Sequence, residues 1–353
     1  MRSFGRRQLL RITSLLGLGL ALGACTPHVQ DAPAVPTEQP AFTPLPPQPT
    51  STLEPPTLQP VSEGGTTPAA PPSLTPPSPT PAPAGAADVA VVHGEDPQAL
   101  VQTALQLLGG IQRFVQPGYD VIIKPNICNA NHGPEYASTT NPLVIATLVR
   151  LCLEAGAAQV RVMDNPFAGS AENAYVSSQV DEAVAAAGGT MEIMAPHRFV
   201  DAEIPEGRDI HNWRFYKPIL DADLVINVPI AKHHGSARLT LGCKNIMGCV
   251  EDRGGIHRNL GQRIADLVSR VRPQLTVIDA TRILVANGPT GGSLDDVVQA
   301  NTIIASQDVV AADAWATSLF GRTPQEIAYI VAAHEMGLGT MDLSTLNVVE
   351  QTV

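Results

Sequence analysis

The stretch from Asp223 to Gly248, DLVINVPIAKHHGSARLTLGCKNIMG, decides the fold. Leu224 to Val228 is a short run of mostly aliphatic residues, the composition of a strand buried on both faces. Pro229 breaks it. The residues that follow include Lys232, His233, His234, Arg238, Lys244 and Asn245. An apolar strand that runs straight into clustered cations is a common way for an α/β sheet to present a ligand site at its carboxyl edge. The segment therefore reads as the floor of a site for an anionic or metal-bearing ligand.

Outward from it, strand-like and helix-like segments alternate. Upstream, strands are expected at 88–93, 120–124, 159–163 and 190–194, with helices at 97–108, 142–154 and 182–187. Pro142 suits the first helical position after an Asn141 cap, and Gly156 stops that helix. The helix is apolar nearly all round, so it should lie between layers. The region 195–212 reads as an irregular excursion. Downstream, Leu260, Ile264, Leu267, Val268 and Val271 share one face of an amphipathic helix. Strands are expected at 275–278, 302–305 and 345–350, with helices at 309–320 and 324–335. Strand, helix, strand, repeated, predicts an α/β fold. A mostly parallel sheet would carry helices on both faces, in a single large domain after a disordered tether.

The front of the chain reads differently. Arg2, Arg6, Arg7 and Arg11 precede an apolar run at 12–24 that is too short to span a bilayer. The Arg6-Arg7 pair looks like a twin-arginine export signal, and Leu22-Gly23-Ala24-Cys25 looks like a lipobox with Cys25 as the lipidated residue. Residues 1–25 are thus expected to be an export signal, leaving a lipoprotein on the outer face of the cytoplasmic membrane, in the cell envelope. Residues 26–87 hold 19 of the 32 prolines. No helix or central strand survives that density, so an extended tether is expected. Residues 88–353 remain for the domain. The four signal arginines balance Asp31, Glu38, Glu54 and Glu63 of the tether, so the domain keeps the whole net charge of −11. That balance argues against nucleic acid, and any basic site must be local.

Five expected strands end in polar residues: Lys124 and Asn126; Asp164 and Asn165; Lys232, His233 and His234; Asp279; Ser306 and Asp308. In a parallel sheet such ends share one edge. Lys124, Lys232 and Lys244 are the expected anion-binding cations, with Asn126 and Asn245 orienting the ligand. Structural pairing of the lysines with Asp164 or Asp279 is the alternative, since either partner would satisfy a buried charge. Lys232, His233 and Asp279 are the candidate catalytic groups. Asp164 and His233 are candidate ligands for a divalent metal. Adjacent histidines on an extended segment point to opposite sides, so one of His233 and His234 at most faces the site. Lys244-Asn245-x-x-Gly248 can form a backbone loop for an anion. Asn287-Gly288-Pro289-Thr290-Gly291-Gly292 lacks the P-loop Lys-Ser/Thr and reads as a turn. Cys128, Cys152, Cys243 and Cys249 form no Cys-x-x-Cys pair, hence no zinc ribbon or ferredoxin run. No Gly-x-Ser-x-Gly elbow appears.

Several motifs occur in order: Lys124-Pro125-Asn126, Thr139-Thr140-Asn141-Pro142, Glu154-Ala155-Gly156-Ala157, Asp221-Ala222-Asp223-Leu224, Asn227-x-Pro229-x-x-Lys232-His233-His234, Lys244-Asn245-x-x-Gly248, Asn287-Gly288-Pro289 and Ala311-Ala312-Asp313-Ala314. Together they resemble the prokaryotic "domain of unknown function 362" family, over about 121–339. The resemblance implies one α/β domain and marks these residues, but it supplies no substrate. Some members of that family carry ferredoxin-type cysteine runs and are described as iron–sulfur proteins; this chain has none. Three functions are therefore carried forward: a tethered enzyme acting on a small anion with a metal, a non-catalytic ligand-binding lipoprotein, and a redox protein with a cluster on Cys128, Cys243 and Cys249.

Overall fold

The structure, a computed structural model, describes residues 79–353. The expected export signal, the Cys25 lipidation site and most of the tether lie outside the described residues. Residues 79–87, the end of the expected tether, are tied to the domain at two points while 80–85 stay exposed: Thr80 N donates to Arg113 O, and Ala87 N donates to Leu107 O.

The strands are β1 (Val89–His93), β2 (Asp120–Pro125), β3 (Gln159–Val162), β4 (Thr190–Met191), β5 (Phe199–Glu203), β6 (Asn212–Tyr216), β7 (Leu224–Val228), β8 (Ile230–His234), β9 (Arg238–Thr240), β10 (Leu275–Leu284), β11 (Val297–Ser306) and β12 (Val348–Thr352). The helices are α1 (Pro97–Leu107), α2 (Pro142–Glu154), α3 (Ala171–Ser177), α4 (Val180–Ala186), α5 (Lys217–Asp221), α6 (Gly242–Asn245), α7 (Arg253–Ile256), α8 (Leu260–Val271), α9 (Val309–Ala316) and α10 (Ala328–Glu335).

Ten strands form one sheet, whose main path runs β12-β1-β11-β10-β7-β2-β3-β4, with β8 and β9 attached beside β10. The pairs β2–β3, β2–β7, β3–β4, β7–β10, β8–β10 and β1–β12 are parallel. Strand β11 runs antiparallel to both β1 and β10. Alternate residues of the same strands enter two separate cores, as a two-residue period requires. Ile122, Val225, Ile278 and Ile304 pack with α8, α9 and α10, whereas Val121, Ile123, Leu224, Ile226 and Val277 pack with α1, α2 and α4. The sheet is thus mostly parallel and covered on both faces, a single α/β domain.

Local chemistry sets the element ends. Asn141 caps α2 by accepting from Leu143 N at 3.0 Å, with Pro142 at the first position. Gly156 leaves that helix at φ +98°, a conformation that favours glycine. Leu143, expected to be covered, is exposed on the first turn.

Three expectations change. The excursion 195–212 contains β5, which pairs with β6 as a two-stranded antiparallel ribbon. The strand expected at 275–278 continues to Leu284, so Asp279 lies inside it. Because β11 is antiparallel, Ser306 sits opposite Val89 and Thr276, near the starts of β1 and β10. Ser306 and Asp308 therefore lie at the opposite edge from Lys124.

Candidate functional site

A cavity of about 600 Å³ opens at the carboxyl ends of β2 and β3, beside β8. Lys124, Asn126, Cys128, Asp164, Asn165, Lys232, His234, Lys244, Asn245, Gly248, Arg253, His257 and Pro289 are among its lining residues. Its floor is buried: Lys124 and Lys232 are each 1% exposed and Lys244 is 9% exposed. Phe167, Asp252, Gly254 and His257 are exposed and form the mouth. Four cations line it (Lys124, Lys232, Lys244 and Arg253) against three carboxylates (Asp164, Glu251 and Asp252). The carboxylates are occupied. Asp164 is paired with Lys124, Glu251 with Arg214, and Asp252 caps α7 through Gly255 N. The cavity is a local basic site in an acidic protein.

The three lysines differ in how completely the fold answers them. Lys124 Nζ donates to Pro125 O at 2.9 Å and Asn245 Oδ1 at 3.0 Å, and stands 2.7 Å from Asp164 Oδ1. That contact lies off the axis of a hydrogen bond, so Asp164 Oδ1 is ion-paired yet accepts no well-directed hydrogen bond. Asp164 Oδ2 accepts from Ile127 N at 2.6 Å. Lys232 Nζ donates to Asn126 Oδ1 at 2.9 Å and Ser138 O at 2.6 Å, with the Cys128 thiol alongside. Burial lowers its pKa, while Cys128 and Asp164 oppose the shift. Lys244 has neither a hydrogen-bond nor an ion-pair partner among the described residues. Burial first, then the charge of Lys232, brings its pKa down to about 7.

Asparagines fix these cations. Asn126 Nδ2 donates to Asn245 Oδ1 at 3.0 Å, and Asn245 Nδ2 donates to Asn227 Oδ1 at 2.9 Å. Asn227 Nδ2 donates to Gly242 O at 3.0 Å. This amide relay ties β2, β7 and α6 together. Helix α6 carries Lys244 and Asn245 and is only one turn long, with Leu241 at its cap position. Asp313 takes over capping from α9: its carboxylate accepts from Gly242 N at 2.6 Å and Cys243 N at 2.9 Å. A Cβ at Gly242 would lie 2.7 Å from Asp313 Oδ1, so the approach needs glycine. Burial moves Asp313 up to about 7. At Gly248 a Cβ would collide with Asp164 and lie 2.5 Å from Lys124 Nζ, so this glycine admits the ion pair.

His234 supplies a neutral donor. Its Nδ1 accepts from Ser236 N at 3.2 Å and Ala237 N at 3.1 Å, so the ring proton sits on Nε2. Burial, then Lys244 and Lys232, lowers its pKa to about 3 and keeps it uncharged. His257 takes the opposite tautomer when neutral: Nδ1–H donates to Arg253 O at 2.8 Å, leaving Nε2 with a lone pair. The Arg253 guanidinium is held by Asn165 O at 2.7 Å and Pro166 O at 3.0 Å. Cys128 Sγ donates to Pro289 O at 3.5 Å, which places the Asn287-Gly288-Pro289 turn against the cavity wall.

The expected residues sort cleanly. Lys124, Asn126, Asp164, Lys232, Lys244 and Asn245 converge on the cavity. His233 and Asp279 are not among its lining residues. His233 Nδ1 accepts from Gly288 N at 3.1 Å, on the far side of β8 from Lys232. Asp279 is buried and accepts from Asn141 N, Thr281 N and Thr281 Oγ1, which makes it an anchor for the start of α2. Asp164 and His233 are not brought together. Among the described residues no group of three or more His, Cys, Asp or Glu side chains is placed to hold a metal. The four cysteines are free and buried. Cys128 lines the cavity, while Cys243 and Cys249 belong to an apolar core, so the three do not form one cluster site. Sequence reasoning missed Arg253, Phe167 and the capping role of Asp313; of these only Asp313 lay within a motif.

These features define an α/β protein with a cation-lined cleft at the carboxyl edge of a mostly parallel sheet. The chain belongs to the family described as domain of unknown function (DUF362), whose model matches residues 121–318. It is 29% identical over 255 residues to the thylakoid-associated protein sll1697 of Synechocystis sp., spanning 68% of this chain and 75% of that one. Among solved structures it is similar to the lactate racemase apoprotein from Thermoanaerobacterium thermosaccharolyticum. That match has a TM-score of 0.42 and 11% identity, and covers 67% of this chain and 58% of the racemase.

Proposed function

We propose that this chain is an exported, membrane-tethered enzyme whose cavity binds a small organic anion. One observation carries the site reading: Lys244 is a largely buried side chain whose amine opens onto the cavity and has no partner among the described residues. A buried ammonium without a counter-charge is costly, and an anionic ligand would offset that cost. Lys232 and Arg253, which lack carboxylate partners, would share the anion's charge, and Nε2–H of His234 would donate to a second polar atom of the ligand.

Calorimetric titration with a panel of phosphorylated and carboxylated small molecules tests the reading. Binding of at least one, lost in Lys244→Met with the fold retained, is the expected result. Absence of binding across the panel, or affinity unchanged in both Lys244→Met and Lys232→Met, overturns it. Tight binding without turnover would instead make the chain a ligand-binding lipoprotein.

Export and anchoring rest on Arg6-Arg7, the apolar run after them, Cys25 and the proline-rich segment. Among the described residues no helix is long and apolar enough to cross a membrane. Metabolic labelling with a fatty acid, retained in the natural chain and lost in Cys25→Ser, is the corresponding check. Label persisting in Cys25→Ser would refute the anchor.

A further inference from the structure

We propose that Lys244 is a nucleophilic amine that condenses with the carbonyl carbon of a small 2-oxo acid and holds it as an imine in the cavity. This rests on the anion-binding reading of the same site and names its substrate class.

The geometry singles out one lysine of three. Lys124 has three partners, and Lys232 gives two of its hydrogens to Asn126 and Ser138. An amine held as a donor to acceptors keeps its proton and offers no lone pair. Lys244 has no such restraint, and its one-turn helix is fixed by Asp313 and the asparagine relay. The charged or titratable groups that face it are Lys232 and His234 on β8, Lys124 on β2, Arg253 on α7 and Cys128 after β2. Three of these five are cations, and together with burial they favour the neutral amine. Burial beside other cations is a known way to activate a lysine for Schiff-base chemistry.

The rest of the cavity suits the other end of such a substrate. Lys232 and Arg253 complement a carboxylate. The His234 ring, close enough to Lys244 to feel its charge, presents Nε2–H without a protein acceptor among the described residues. It is a hydrogen-bond donor for the carbonyl oxygen rather than a proton donor, because Nδ1 is already engaged. The step balances. Nζ attacks the carbonyl carbon as the C=O π bond opens, and a C–N bond forms. The carbinolamine oxygen then departs as water with both amine hydrogens, leaving C=N in place of C=O. No oxidant or reductant is consumed.

The experiment uses the full purified chain, incubated in turn with glyoxylate, pyruvate and 2-oxoglutarate in the presence of cyanoborohydride. Intact mass and peptide mapping read the reduced adduct. The expected result is one adduct per chain, on Lys244, with a trapping rate that rises through about pH 7, the value to which this amine is lowered. Lys244→Arg should give none. The wild-type peptide map stands even if that variant fails to fold. Absence of adduct with all three acids, or an adduct on Lys217, the one exposed lysine of the four in the chain, in place of Lys244, overturns the proposal. Calorimetry with acetate and phosphate on the same protein separates the two readings. Lys244-dependent binding with no trapped imine defeats the imine and leaves the anion site. A Lys244 adduct with no anion binding supports the imine and defeats the general anion reading.

Discussion

The two edges of the main sheet both carry polar residues just past a strand, and the fold treats them in opposite ways. At the end of β11, Ser306 Oγ donates to Asp88 O and accepts from Asp308 N. Asp308 accepts from Val310 N, Ala311 N and Thr340 N. Every one of those contacts is to backbone, and their result is the start of α9 and a pinned turn at Thr340. At the end of β2 asparagines build a relay that, with Asp164, answers Lys124 and part of Lys232 and leaves Lys244 bare. Polarity after a strand does not by itself mark a site. A cation that lines a cavity with no counter-charge from the protein is the stronger mark, because folding alone does not favour it.

The largest effect should come from breaking an answered group. Asp313→Ala removes the one buried acceptor of two backbone N–H groups and should cost about 4 kcal/mol. Urea unfolding measures it, and a loss below about 1 kcal/mol would show that α6 needs no cap. The contrasting change is Lys244→Met. It should weaken anion binding about a hundredfold, or roughly 2.7 kcal/mol, without lowering stability, because no protein contact is lost. The pH dependence of stability sharpens this further. The folded state holds Lys244 near 7, below its ordinary 10.5, so between those values the unfolded chain binds more protons and stability rises with pH. The Lys244→Met curve should lack that rise. Equal slopes in the two proteins would place the amine in solvent-like surroundings.

The sheet edge was legible because β2, β3 and β7 end in sequence where their apolar runs end. Lys124, Asn126, Asp164 and Lys232 could be placed on one rim from that pattern alone. Lys244 and Asn245 followed as the next cation and amide in the chain. Asp279 misled because β10 continues through it: Ala280 and Thr281 gave no turn signal, and the strand ends only at Leu284. Ser306 misled because strand direction is not written in a single strand's composition. Phe167 comes from a loop and Arg253 opens the one-turn helix α7, both too short to show a period, so nothing in the chain announced them. Asp313 was visible within Ala311-Ala312-Asp313-Ala314, yet its partners lie about 70 residues away on α6.

A middle-sized effect tests the close approach at Gly248. Gly248→Ala forces the Lys124–Asp164 pair apart or moves α6, and overpacking of that kind costs about 2 kcal/mol. Binding should fall with it, since Lys244 rides on the same segment. Full stability in this variant would mean that the ion pair shifts freely and does not define the floor.

The smallest effect isolates one step of reasoning about β8. Its side chains alternate, so Lys232 and His234 must share a face and His233 must take the other. Once Lys232 is placed in the cavity, the choice between the histidines is no longer free, and it falls on His234. The structure agrees: Lys232 and His234 line the cavity, while His233 accepts from Gly288 N. His234→Ala should therefore reduce anion affinity about tenfold, the value of one hydrogen bond to a charged ligand. His233→Ala should leave affinity unchanged and cost about 1 kcal/mol of stability, for the lost acceptor of Gly288 N. Calorimetry and thermal unfolding on the two variants suffice. If His233→Ala is the one that loses affinity, then β8 runs in the other register, and the whole rim is turned over with it.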